Sequence, residues 1–456
     1  MCIRDRSQTR PLVADYGGSA LQPELLRGAR SSSCNEYWTG LAGNVLALYA
    51  LQFGNYVIPL LTMPYLLATL GAARYGELLF AQGLISYVGV LVDYGFDWSA
   101  TRRVSTERAS MEKVWRLAYD VWSAKLLLTT SGLIVVIVAA YLLSGPPGQL
   151  SYFLALYAAV IGNALFPTWL YQGMERMWLT AAIGLGAKLA GLAALFLFVK
   201  TPEDGLAAAA IIGITGALGG VCGAAAAIRS FGLARPSLSL KGAVNMLVEG
   251  WEIFVSRTAV SLYTAGNPFL LGLVSTPQEV AYFSVAERVV RGIVALLTPV
   301  FQAVYPRATL VAAQSKEQAS RFARSWLAAM GGVGTCLSAV VFAGAELIAR
   351  LISPAAEKEL VLVVRTLAPI ILMISLNSVL GTQLLLSFGQ DRRFRGILIA
   401  AGVANVVLAL LLGRQLGAVG MAAAVVIVEC FVTASMGAAT VEYLKGGGGW
   451  PRMLIR

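Results

Sequence analysis

The chain contains no histidine. That removes the commonest general base, the commonest metal ligand and the side chain that titrates near neutral pH. Zinc hydrolases, His-bound haem and Ser-His-Asp triads are excluded. Charge is also scarce: 13% of the 456 residues are charged and 57% are hydrophobic, against about 25% charged in soluble domains. Disorder needs the opposite balance, and a soluble enzyme is poorly compatible with this one. The five cysteines (Cys2, Cys34, Cys222, Cys336, Cys430) form no C-x-x-C, so neither an Fe–S site nor a disulfide framework is expected. Those in hydrophobic runs read as small apolar filler. There is no G-x-x-x-x-G-K-[ST] loop for ATP and no apolar signal-peptide core within residues 1–37. No cofactor and no metal are expected.

What the chain has instead is long apolar runs, and its mean hydropathy is +0.71. Runs of about 20 residues cross a bilayer core of about 30 Å. Twelve segments are expected, with approximate cores at 40–70, 76–98, 115–143, 151–172, 178–199, 206–228, 247–274, 279–305, 324–352, 359–388, 394–413 and 417–441. The fold class is therefore an all-α polytopic membrane protein. Residues 1–37 are expected as a disordered or non-native cytoplasmic tail, and 38–230 as an N-terminal six-helix bundle. A cytoplasmic linker (231–246), a C-terminal six-helix bundle (247–445) and a cytoplasmic tail (446–456) follow.

The net charge of +11 would suggest nucleic acid in a soluble protein. In a membrane protein it reflects Lys and Arg gathered in cytoplasmic loops, and no nucleic-acid partner is expected. With the N-terminus in the cytoplasm, the inner segments hold 24 Lys and Arg and the outer connections five. Both termini are therefore expected on the cytoplasmic side. The two halves also look related: at an offset of 205 residues, Tyr75–Gln82 overlays Val280–Glu287. Six segments per half gives a parallel repeat, as in several transporter classes.

Six cations remain inside the apolar segments: Lys125, Lys188, Arg257, Arg288, Arg291 and Arg365. A charge at mid-bilayer costs at least about 2.5–3.5 kcal/mol, so such residues pair, snorkel or line a polar cavity. In segment 8, Ser284, Arg288, Arg291, Ala295, Thr298, Gln302 and Tyr305 recur at spacings of three and four, on one helix face. Segment 7 carries Glu252, Ser256, Tyr263 and Asn267 on one stripe, with Arg257 beside it and a kink expected at Pro268. Segment 2 carries Gln82, Ser86, Asp93 and Asp97; segment 1 carries Asn44, Gln52, Asn55 and Thr62. Four such stripes are able to line one central cavity. A bland reading stays open beside this one. Glu287 and Arg291 are i,i+4 and suited to neutralise each other, while Lys125 and Lys188 are read as snorkelling. Asp93 and Asp97 sit near Arg102 and Arg103 and suit a local ion pair; Asp93 and Glu252 are the candidates for a coupling ion. An excess of cations over acids favours an anionic passenger.

Several motifs stand in a fixed order. Pro59-Leu-Leu-Thr-Met-Pro-Tyr65 is followed by Leu70-Gly71 and Tyr75-Gly76, then Val92-Asp-Tyr-Gly-Phe96 and Ser99-Ala-Thr-Arg-Arg103. Next come Pro167-Thr-Trp-Leu-Tyr-Gln-Gly-Met-Glu-Arg-Met177, Pro202-x-Asp204, Gly250-Trp251, Tyr263-x-x-x-Asn267, and Pro299-x-x-Gln302-x-x-Tyr-Pro-Arg307. Over about residues 38–445 the chain resembles the Wzx-type O-antigen and polysaccharide flippases of the multidrug/oligosaccharidyl-lipid/polysaccharide exporter superfamily. The resemblance implies two six-helix bundles around a central cavity in the bacterial inner membrane. It implies translocation of an undecaprenyl-diphosphate-linked oligosaccharide from the cytoplasmic to the periplasmic leaflet by alternating access, with no covalent chemistry. Implied partners are membrane lipids, a coupling ion (H+ or Na+), a polysaccharide polymerase and a chain-length regulator. Arg288 and Arg291, then Arg257, are the expected contacts for diphosphate or acidic sugar, with Gln302, Asn55, Asn267 and Tyr263 for the sugars. Pro167, Trp169, Gln172, Glu175 and Arg176 are expected to act structurally or in gating, with Trp169, Tyr171 and Trp178 as interfacial anchors. The alternatives are a multidrug cation exporter or lipid II flippase of the same superfamily and, less well fitted, a membrane glycan polymerase or ligase.

Overall fold

The computed structural model describes residues 23–143, 149–232, 238–314 and 316–445; the rest of the expected tails lies outside the described residues. The described residues up to Leu46 form one helical unit, and those from Ala47 onward form a second. No strand occurs among them. The helices are α1 (Pro23–Asp93), α2 (Phe96–Glu107), α3 (Met111–Leu142), α4 (Gln149–Leu165), α5 (Thr168–Gly173), α6 (Met177–Phe198), α7 (Gly205–Phe231) and α8 (Leu240–Thr264). They continue with α9 (Asn267–Gly272), α10 (Pro277–Ala295), α11 (Thr298–Gln314), α12 (Lys316–Ala343), α13 (Ala345–Ile352), α14 (Glu357–Leu367), α15 (Ile370–Asn377) and α16 (Asp391–Lys445).

Eight stretches are long and apolar enough to cross a membrane. Two of them, Gln52–Glu107 and Asp391–Tyr443, run to 56 and 53 residues, far beyond the ~20 that one crossing needs. Each is broken inside by a glycine in a conformation L-residues avoid: Gly71 at φ 74° and Gly417 at φ 58°. The stretch α8–α11 falls outside the eight and carries the stripes of segments 7 and 8. The chain is a multi-pass membrane protein.

In lipid the hydrophobic effect does not drive helix against helix, so close contact of small residues and internal polar ties do that work. The contact of α4 with α7 shows how. A Cβ at Gly162 would lie 2.2 Å from the Gly216 carbonyl oxygen, and one at Gly220 would lie 2.1 Å from that of Gly162. Only bare backbone fits. The breaks are equally local. Pro167 interrupts the run α4–α5, and the freed Leu165 carbonyl accepts the Trp122 indole N–H at 3.1 Å. Trp169 and Tyr171 behind it are fully buried, and the Tyr171 hydroxyl donates to the Gly223 carbonyl at 2.7 Å. They are core residues, not interfacial anchors, because the break turns Trp169 against Trp122 of α3 and Tyr171 against α7; Trp178 is exposed. In the Val92–Phe96 motif, Tyr94 (φ 47°) and Gly95 (φ 82°) separate α1 from α2. A left-handed Tyr costs about 1–2 kcal/mol, and its ring is held by stacking on Phe254 at 4.4 Å. Asp204 of the Pro202-x-Asp204 motif accepts the backbone N–H groups of Lys200 and Thr201, closing the turn before α7.

Lys125 is only 2% exposed. Its Nζ lies 3.5 Å from Asp93 Oδ1 and donates to the Asn163 carbonyl at 3.3 Å, while the Asn163 amide donates to the same Asp93 oxygen at 2.9 Å. Lys125 therefore does not snorkel, and Asp93 pairs with it instead of with Arg102 or Arg103. Breaking such a pair strands a charge at a cost of about 3–5 kcal/mol, whereas replacing both partners by apolar groups is far milder. Lys125→Met and Asp93→Leu alone are each expected to lower the thermal midpoint sharply in detergent, and the double variant to lie well above the additive expectation. Additive losses would show that the pair does not stabilise the fold.

Candidate functional site

A cavity of about 710 Å³ opens among α1, α4, α6, α7 and α10. Its polar lining includes Asn55, Thr62, Tyr75 and Gln82 from α1, Asn163 from α4, Lys188 from α6 and Thr215 from α7. From α10 come Glu287, Arg288 and Arg291. It thus carries three cations and one acid. The spacing of 288 and 291 puts both guanidinium groups on one face of α10, as periodicity requires, and that face borders the cavity.

The six cations within the apolar segments divide by partner. Lys125 meets Asp93, Arg257 meets Asp97 at 3.8 Å, Arg291 meets Glu287 at 2.9 Å and Arg365 meets Glu346 at 3.0 Å. Arg288 and Lys188 are held by neutral groups. Arg288 Nη2 donates to Gln82 Oε1 at 2.9 Å and Nη1 to the Tyr75 hydroxyl at 3.3 Å. Lys188 Nζ donates to Asn55 Oδ1. Among the described residues no carboxylate lies within ion-pair distance of either. Lys188 sits midway along α6, not near an end, so its ammonium turns into the cavity and does not snorkel.

Glu287 anchors a network that its sequence position only partly announces. Asn267 Nδ2 donates to Glu287 Oε1 at 3.1 Å, and Asn405 Nδ2 donates to Asn267 Oδ1 at 3.0 Å. Arg291 also acts electrostatically on Glu429, which accepts from Asn377 Nδ2 at 2.7 Å. Arg291 thus belongs both to the cavity and to this buried network.

Other expected site residues are not brought to the cavity. Gln302 is exposed on α11. Tight bonds from Leu296 and Leu297 to Ile293 and Val294 break α10 from α11 there, so the stripe loses its phase. Asn267 opens α9 after the break at Ala265–Gly266, with Pro268 in its first turn as expected, and donates to Glu287 without itself bordering the lumen. Arg257 is drawn to Asp97, and Glu252 is exposed. The Tyr263 side chain lies outside the described residues. In the long motif, Gln172 Oε1 accepts from the Thr101 hydroxyl at 3.3 Å. Glu175 pairs with Arg108 at 2.8 Å, and Arg176 stands over the Phe231 ring at 5.5 Å. These contacts tie α2, α5 and α7 and lie apart from the cavity. Tyr75, Asn163 and Thr215 are lining groups that residue patterns did not single out; Gln82 lay on the expected segment-2 stripe, and Lys188 was read as snorkelling. The central position of Lys188 in its apolar run was the available signal.

The α1–α2 junction also meets α8. Arg103 pairs with Glu249 at 2.9 Å, but both side chains are largely exposed, so the pair adds at most about 1 kcal/mol. The Tyr94–Phe254 stack is the more substantial contact, and it sits beside Gly95. A Cβ at that glycine would come within 2.5 Å of Ile253.

A bundle of apolar helices with a cationic internal cavity defines the class: a multi-pass membrane protein built around a polar lumen. The fold is shared with the lipid II flippase MurJ in an inward closed conformation (TM-score 0.65, 12% identity, 87% of each chain covered). It is shared also with a multidrug resistance MATE family transporter of the MOP superfamily in an inward-facing conformation (TM-score 0.56, 14% identity, 86% of this chain and 100% of that one). Residues 41–311 match the family model described as Polysaccharide biosynthesis protein, and the chain belongs to that family. It is 30% identical over 397 residues, 87% of its length and 95% of the relative's, to a protein of Escherichia coli (strain K12) named "Putative O-antigen transporter". A protein of the same name from Shigella dysenteriae is 27% identical over 398 residues, 86% of this chain and 98% of that one.

Asn267 and Asn405 are fully buried and Glu287 nearly so. Leaving such groups without partners costs about 1–3 kcal/mol each. Asn267→Leu is expected to lower the thermal midpoint in detergent, and Asn405→Leu to cost less in that background than alone, because the two share one network. Equal costs in both backgrounds would show that the asparagines act independently.

Proposed function

We propose that the chain is a flippase for an undecaprenyl-diphosphate-linked oligosaccharide, of the kind used to build O-antigen or another surface polysaccharide. The observation that carries the reading is Arg288, a cavity guanidinium whose acceptors are a carboxamide and a phenol. A diphosphate is a permanent anion, and the planar fork of Arg matches its oxygens. Arg291, half committed to Glu287, adds to the field. The amides and hydroxyls of α1, α4 and α7 suit sugar hydroxyls, and the prenyl tail stays in the bilayer. Three cations against one acid disfavour a cationic drug. A lipid II headgroup shares the diphosphate and is separated by its sugar–peptide part.

Both termini are read as cytoplasmic from the Lys and Arg asymmetry, and the membrane as the bacterial inner membrane. Transport proceeds by alternating access of an N-terminal (38–230) and a C-terminal (247–445) bundle, driven by a proton or sodium gradient. The Tyr94–Phe254 contact between them is broken in the opening step. The product passes to a polymerase and its chain-length regulator.

Each hydrogen bond to a charged group is worth about 1.5–3 kcal/mol, and 1.4 kcal/mol is tenfold in binding. Losing one or two from Arg288 therefore weakens headgroup binding about tenfold or more. Arg288→Ala is expected to abolish complementation of an O-antigen flippase-null strain at wild-type expression, and Arg288→Lys to restore part of it. Full complementation by Arg288→Ala, or rescue of a lipid II flippase depletion by the wild-type chain, would overturn the assignment.

A further inference from the structure

We propose that Lys188 marks a second anion subsite, one that reads an acidic substituent on the sugar part of the passenger, apart from the diphosphate at Arg288. The inference rests on the flippase reading and extends it to substrate class. Three observations carry it.

The first is position. Lys188 stands on α6 and Arg288 on α10, two different walls of the same cavity. Lys188 and Arg288 are also held by different neutral acceptors, Asn55 in one case and Gln82 with Tyr75 in the other. Nothing draws them to a common protein carboxylate.

The second is charge. A membrane-embedded ammonium is costly unless matched, and the chain matches its other embedded lysine, Lys125, with Asp93. Among the described residues Lys188 has no such match. Its same-face neighbours on α6 that also line the cavity, Gly184, Gly191 and Leu192, are all apolar, so packing on this wall gives no reason for a lysine. An anion brought by the ligand does. The compact ammonium acts as a point charge and has no fork to match to a diphosphate, which suits a single carboxylate.

The third is the surroundings. Asn55, Asn163 and Thr215 converge on the cavity from α1, α4 and α7. The Thr215 hydroxyl donates to the Ile211 carbonyl at 2.6 Å, which leaves its oxygen able to accept. A Cβ at Gly191 would lie 3.1 Å from that oxygen; glycine there keeps the hydroxyl uncovered. Asn55 at the ammonium, with Thr215 beside Gly191 one turn along the same helix wall, gives the donor and acceptor groups a charged sugar needs.

The test compares two probes on the purified full-length chain in nanodiscs. Both are polyprenyl-diphosphate trisaccharides, one containing glucuronate and the other glucose at the same position. The wild-type chain is expected to bind the glucuronate probe about tenfold or more tighter, since one added charged hydrogen bond is worth at least that. In Lys188→Gln the ratio between probes falls to about one, and in Lys188→Arg it persists. Arg288→Ala weakens both probes while keeping the ratio. A Lys188→Gln chain that keeps the wild-type ratio, or a wild-type chain with no preference, overturns the second subsite. So does equal weakening of both probes by Lys188→Gln with the ratio retained, which would put Lys188 on the diphosphate. A wild-type chain that binds neither probe, or an Arg288→Ala chain that binds both normally, overturns the flippase reading itself.

Discussion

A cation within a membrane is stable only where an opposite charge or a polar cavity meets it, and that requirement organises this molecule. Four of its six embedded cations are answered by carboxylates of the chain: Lys125, Arg257, Arg291 and Arg365. Three of those pairs join different helices, and the fourth, Arg291 with Glu287, lies within α10. The remaining two, Arg288 and Lys188, are answered only by amide and phenol oxygens, and both face the lumen. An electrostatic debt of this kind is tolerable where water or a ligand has access. The two residues are therefore marked out by the partners they lack as much as by where they lie.

The wall of the lumen is formed by helices that approach one another unusually closely. Gly162, Gly216 and Gly220 let α4 and α7 touch backbone to backbone. The same three glycines border the cavity. The same economy explains the glycine-rich cavity wall on α6 and α7. Trp169, Tyr171 and Phe153 are fully buried and do not border the cavity. Left-handed backbone at Tyr94 and Glu175 lies at the junctions of short helices, outside the lumen. The family-like motifs around these residues are thus largely motifs of chain reversal and helix packing.

Arg291 illustrates why a residue pattern cannot by itself separate structure from function. Its i,i+4 relation to Glu287 and its place on a polar stripe are both real. The structure satisfies both at once: the guanidinium lines the cavity while its Nε donates to Glu287, which in turn accepts from Asn267. A single helix wheel presents these as competing readings, whereas three-dimensional packing makes them one network that continues to Asn405 and approaches Glu429.

Apolar run length, the scarcity of charge and the missing histidine determined the class of the molecule by themselves, because a bilayer imposes its thickness and its dislike of charge on any sequence. The face of α10 bearing Arg288 and Arg291 was legible for a similar reason: within one unbroken helix, spacing fixes direction. Beyond the first break that logic lapses. Gln302 and Asn267 left the expected stripe once Leu296–Leu297 and Ala265–Gly266 changed the helical phase. Lys125 and Lys188 look alike in sequence, as lone lysines in apolar runs. Only the tertiary structure gave one an aspartate from α1 and the other an asparagine beside a cavity, since the partner in each case comes from a helix more than thirty residues away.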